Sequence, residues 1–157
     1  MESTNKVPKI YIADNAEDNK IVEYFKSSEN FDFVGASIDG EKVVEDVTKL
    51  LPDVLIMEVM LTKIDGFAVM EKLKELKDKM PKVIFVSNLS HSGFVTKAIQ
   101  SGVSYFMVKP VSPENLENRI VEVLDAGRSN NQNRQLDEKI SNIFISIGIP
   151  AHIKGYQ

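Results

Sequence analysis

The run Val54-Leu55-Ile56-Met57 constrains this chain more than any other stretch. It opens after Pro52-Asp53, holds four apolar side chains in a row, and stops at Glu58. A strand with one wet face alternates apolar and polar residues, whereas a parallel strand covered on both faces reads as a continuous apolar run. The chain repeats the pattern at Lys9 to Asp14, Phe33 to Ile38, Lys82 to Ser87 and Ser104 to Lys109, each ending on a polar or turn residue.

Helical periodicity fills the gaps. Asn15 to Asn19 supplies caps for a helix over Asn19 to Ser28, and Val43, Val44, Val47 and Leu50 follow the Asp39-Gly40 turn at helical spacing. Asp65-Gly66 opens a helix whose apolar stripe is Phe67, Val69, Met70, Leu73 and Leu76, with Glu71, Lys72, Lys74 and Glu75 facing water. After a polar loop at Asn88, Ser90, His91 and Ser92 a helix runs to Gly102. Ser112 as N-cap and Pro113 at the first helical position start the last one, with Leu116, Ile120, Val123 and Leu124 buried. Short connections between alternating strands and helices demand right-handed crossovers and helices on both faces of a parallel sheet. Five such units predict an α/β, flavodoxin-like (βα)5 three-layer sandwich with strand order 2-1-3-4-5.

This domain is expected over residues 7–126. The polar stretch 127–135 reads as a flexible linker, and 136–157 as an amphipathic helix and coil with Ile140, Ile143, Phe144 and Ile147 on one face. At 157 residues there is no room for a second full domain. The absence of cysteine excludes disulfides, thiol catalysis and Cys-based metal sites, and a net charge of −4 disfavours direct DNA binding. No signal-peptide core opens the chain and no apolar run approaches the ~18 residues of a membrane span, so the expectation is a cytoplasmic protein with no membrane contact.

In open α/β sheets ligand chemistry gathers at the carboxyl ends of the strands. Those ends carry Asp14 and Asn15, Glu58, Ser87 and Lys109. With Lys109-Pro110, this set resembles the receiver domain of two-component response regulators over roughly Lys9 to Leu124. The resemblance implies an acid pair at Asp14 and Asn15 that holds Mg²⁺, a phosphoacceptor at position 58, and a hydroxyl and a cation at Ser87 and Lys109 that bind phosphoryl oxygens. It also implies a switch made of Ser87 and the aromatic Phe106. Ala13-Asp14, Pro52-Asp53-Val54-Leu55, Ser104-Tyr105-Phe106 and the tail Ile147 to Tyr156 are similar to the response regulators that command sporulation in endospore-forming bacteria. There the tail segment opens a DNA-binding effector domain, so a truncated or degenerate paralogue is implied.

Three positions depart from that pattern: the second acid is the neutral Asn15, the acceptor Asp is Glu58, and the Pro usual four residues later is Thr62. Mg²⁺ wants near-ideal octahedral oxygen ligands, and phosphoryl transfer rests on positioning and metal charge. Weak Mg²⁺ binding at Asp14 and Glu58, or none, is therefore expected, with no other cofactor and no enzymatic activity. The expected function is that of a non-catalytic pseudo-receiver in the sporulation phosphorelay, binding a sporulation response regulator or another relay protein and forming a homodimer through the tail helix. Glu58 with Lys109 either locks a phosphomimetic, active-like state or pairs in an inert site. The alternatives are a functional phosphoacceptor and a transcription regulator acting through a DNA-binding partner. His91 and His152 lack companion ligands and read as loop residues, Ser87, Ser90 and His91 lack a nucleophile elbow, and Met57, Met60, Met70, Met80 and Met107 read as packing.

Overall fold

The computed structural model describes residues 7–15, 19–88 and 91–133, and the side chains of its last helix as far as 126. The strands are β1 (Lys9–Ala13), β2 (Asp32–Ala36), β3 (Val54–Glu58), β4 (Lys82–Ser87) and β5 (Tyr105–Val108), in the sheet order β2-β1-β3-β4-β5. The pairs β1–β2, β1–β3 and β4–β5 are parallel. The helices are α1 (Lys20–Ser27), α2 (Gly40–Leu50), α3 (Gly66–Leu73), α4 (Ser92–Gln100) and α5 (Pro113–Asn133). The predicted flavodoxin-like strand order is the one observed. Two compact units divide the chain at Pro81 and Lys82.

In the first unit every residue of β3 is buried, Glu58 included, as the uninterrupted apolar run requires. The edge strand β2 is only half-buried and stops at Ala36, short of the predicted Ile38. Tyr11 of β1 is fully buried beside Gly35, where even a methyl group would come within 2.9 Å of its ring. Its hydroxyl donates to Asp46 Oδ2 at 2.6 Å, which gives the buried phenol the partner it needs. Burial and, after it, this bond to a carboxylate push the Tyr11 phenol well above its ordinary range.

Side chains cap the helix starts, at Asn19 as the sequence suggests and at Asp39 and Asp65 besides. Asn19 Oδ1 accepts from the Ile21 and Val22 N–H groups, Asp39 Oδ1 from those of Glu41 and Lys42, and Asp65 Oδ1 from that of Ala68. α3 is shorter than its stripe suggests. After Leu73 the backbone tightens into a 3-10 segment, Lys74–Lys79, with Lys77 at φ 56°, and Leu76 is only half-buried.

In the second unit Val83, Ile84, Phe85 and Val86 of β4 are buried, while β5 passes from buried Tyr105 and Phe106 to half-buried Met107 and exposed Val108. Phe106 meets Phe85 and Phe94 edge to face, with ring centroids 6.4 and 5.5 Å away. α5 begins at Pro113 with Ser112 Oγ accepting from Asn115 N–H, as predicted, and it buries Leu116, Ile120 and Val123. It runs on to Asn133, so the backbone is helical through much of the stretch whose composition suggests a linker. Residues 127–133 contain no proline, and extending an existing helix avoids the cost of nucleation. The interaction helix expected at Ile140, Ile143, Phe144 and Ile147 lies outside the described residues.

Candidate functional site at the strand ends

Ala13 of β1 pairs with Met57 of β3, so Asp14 and Glu58 each follow directly on neighbouring strands about 4.8 Å apart. Asp14 is half-buried and Asn15 exposed. The Asn15 N–H donates to Asp14 Oδ1 at 2.7 Å, and the Asn19 side-chain amide donates to the Asn15 carbonyl at 2.6 Å. The second of these bonds ties Asn15 to the residue that caps α1.

Glu58 is 6% exposed. Its extra methylene does not carry the charge into solvent as its length would allow. Instead Oε2 accepts the N–H of Met60 at 2.9 Å, across a turn closed by Leu61 N–H and Gly66 N–H donating to the Val59 carbonyl at 3.0 and 2.8 Å. A buried carboxylate needs such donors, and a charge-assisted bond is among the stronger ones available. Met60, expected to pack, is 63% exposed. It lies beyond the strand end, where apolar identity no longer fixes which way a residue faces.

The other predicted residues belong to the second unit. Ser87 of β4 pairs with Val108 of β5, and the Lys109 N–H donates to the Ser87 carbonyl at 2.9 Å. This brings Ser87 and Lys109 to adjacent strand ends. Ser87 is fully buried, Lys109 is half-buried ahead of a cis bond to Pro110, and Phe106 is buried one turn of the pleat behind them. Thus Asp14, Asn15 and Glu58 form one group, and Ser87, Phe106 and Lys109 another.

Two roles were not foreseen from the sequence. His91, expected as a loop residue, is exposed but caps α4, its Nδ1 accepting from Phe94 N–H at 3.2 Å. Asp39 not only caps α2 but meets Lys63 Nζ at 3.1 Å. The Asp39-Gly40-Glu41 spelling ahead of an apolar helix signals the cap, whereas nothing local signals the ion pair. Among the described residues no group of three or more His, Asp or Glu side chains is placed to hold a metal, and no helix is long and apolar enough to cross a membrane.

Residues 10–121 match the model of the response regulator receiver domain. The fold is also shared with solved receivers of low identity. The signal receiver domain of the putative response regulator NarL from Mycobacterium tuberculosis is 19% identical, with 74% of this chain and 95% of that one covered and a TM-score of 0.68. A DNA-binding response regulator of the LuxR family from Staphylococcus aureus is 23% identical over 74% and 98%, with a TM-score of 0.67. A chain of the CheX-CheY-BeF3-Mg²⁺ complex from Borrelia burgdorferi is 23% identical over 79% and 95%, with a TM-score of 0.69. A parallel sheet of this order, with acids at the ends of β1 and β3 and a Ser and a Lys at the ends of β4 and β5, together with a family match over most of its length, makes this chain a member of the response regulator receiver domain family.

Proposed function

We propose that this receiver does not accept phosphate and signals by binding another protein. The observation that carries the proposal is Glu58: a carboxylate at the end of β3, buried, with one oxygen already taken by the Met60 N–H. An acceptor has to turn an oxygen towards an incoming phosphorus atom, whereas the Met60 N–H draws this carboxylate into the turn that follows its own strand. Mg²⁺ fits the donor set poorly. Asn15 brings a neutral amide, and Asp14 Oδ1 already accepts the Asn15 N–H, so two carboxylates remain, both engaged in local hydrogen bonds.

On this reading Glu58 is phosphomimetic: it supplies permanently a negative charge that phosphorylation would supply transiently. Ser87 and Phe106 are the residues that the family resemblance offers as the switch. The motifs shared with sporulation regulators make the sporulation phosphorelay the setting and a homologous response regulator the partner, with the tail at Ile140, Ile143, Phe144 and Ile147 as the contact to it or to a second copy.

The test is incubation with Mg²⁺ and a small acyl phosphate donor, followed by intact-mass measurement. No adduct of about 80 Da, one phosphoryl group, is expected. A stoichiometric adduct that vanishes in Glu58→Ala would refute the proposal. In parallel, Glu58→Gln should weaken self-association in sedimentation without unfolding the chain, and an unchanged association constant would remove the phosphomimetic role.

A further inference from the structure

The turn that satisfies Glu58 is itself tied to the loop between β2 and α2. The Thr62 N–H donates to the Ile38 carbonyl at 2.9 Å, and its Oγ1 lies 3.3 Å from the same oxygen. In return the Thr62 carbonyl accepts the Gly40 N–H at 2.9 Å, so that Asp39 and Thr62 form a parallel bridge outside the main sheet. Side chains fasten the same point, for Lys63 Nζ reaches Asp39 at 3.1 Å. Lys63 is held at φ 72°, a left-handed conformation that a residue with a side chain adopts only when its surroundings demand it.

Gly40 shows how tight the approach is. A Cβ there would strike the backbone carbonyl of Ile64, and backbone cannot swing aside as a side chain can. Four separate features therefore act at one point: a backbone bond in each direction, an ion pair, a strained residue, and a glycine with no room for a methyl group. An ordinary surface loop is far less constrained.

We propose that the β2–α2 and β3–α3 loops form a single clasp, closed by the Thr62 N–H and fastened by the Asp39–Lys63 pair, which holds the turn that presents Met60 N–H to Glu58. The inference rests on the reading of Glu58 given above and adds the regulation of that site. The clasp keeps the loop in one position by bonds among the chain's own residues, so Gly40, Thr62, Asp39 and Lys63 are positioning residues for the partner-binding state. The Thr62 donor is decisive, since an imino acid in its place could not supply it.

Backbone amide exchange in the full chain, followed by NMR, tests the clasp. In Thr62→Pro the Gly40 and Met60 amides should exchange roughly tenfold faster, the scale of one lost hydrogen bond, while those of Phe85 and Phe106 keep their wild-type rates. Thr62→Ala, which retains the N–H, should restore slow exchange. If Thr62→Pro fails to fold, Asp39→Asn serves instead: the amide still caps α2 but no longer attracts Lys63, and a smaller rise at the same two amides is expected. Unchanged exchange at Met60 in the folded variants overturns the clasp. Sedimentation separates the two proposals. Faster Met60 exchange in Thr62→Pro with undiminished self-association in Glu58→Gln keeps the clasp and discards the phosphomimetic reading; the reverse pair of results discards the clasp alone.

Discussion

The end of β3 and the interior half of β5 are held by opposite means. At β3 a carboxylate is drawn inside and then satisfied by polar groups: Met60 N–H on Glu58, Thr62 N–H on the Ile38 carbonyl, Lys63 on Asp39. At β5 Phe106 is held by Phe85 and Phe94, edge to face. Polar bonds are directional and exchange for bonds to water, so each adds little net stability but fixes a geometry. Apolar burial is non-directional and supplies most of the stability. The loop after β3 should therefore define a position, and the aromatic group around β5 should carry the energy.

Phe106→Ala is the harshest test of that contrast. The side chain is 1% exposed, and truncating a buried Phe removes its transfer energy and leaves a cavity, a loss of about 3–5 kcal/mol. Urea denaturation should show this loss to be almost independent of salt and pH. A loss below about 1 kcal/mol would mean that the site collapses around the smaller residue and that β5 carries less than its packing implies.

An intermediate effect is expected from Glu58→Leu. The new side chain is of similar volume and suits a buried position, yet it leaves the Met60 N–H without its acceptor. Losing one partner of a bond to a charged group costs about 1–3 kcal/mol, offset in part by the desolvation of Glu58 that no longer has to be met. A net change well under that of Phe106→Ala, with faster exchange at the Met60 amide, would sharpen the contrast. If Glu58→Leu proved the costlier of the two, the roles assigned to the two regions would have to be exchanged.

The apolar half of this contrast was legible in the sequence and the polar half only at its ends. Continuous runs such as Val54 to Met57 announce buried strands because burial acts on side-chain identity, and with them came the strand order and the positions of Asp14, Glu58, Ser87 and Lys109. The clasp was invisible because its main bonds use backbone groups, which every residue but proline possesses. Thr62 could be noted as a departure from the family pattern, but not that its N–H would have the Ile38 carbonyl to meet. Gly40 read as part of a turn, whereas its reason is the Ile64 carbonyl, distant in sequence. Met60 and the end of α5 were misjudged for a related cause. Past the end of a strand, apolar character does not decide exposure, and a polar composition does not stop a helix already under way.

The smallest effect, and the most selective, belongs to Asp39. The N–H of Lys42, and after it the Lys63 ammonium, hold its carboxyl below the usual carboxylate range, and the charge of Glu41 also acts on Lys63. A carboxyl whose folded pKa lies below its unfolded value of about 3.9 contributes stability that is fully present above that value and is lost as pH falls through the folded pKa. Asp39→Asn keeps an acceptor for the α2 cap and removes only the charge. The difference in urea midpoint between wild type and Asp39→Asn should be small and constant near neutrality, should shrink as the pH is lowered past 4 or so, and should be reduced by salt at every pH above that. The Phe106→Ala difference should stay flat over the same range. An Asp39→Asn difference that ignores both pH and salt would leave the clasp to its backbone bonds and show the ion pair to follow the geometry of the loop without helping to hold it.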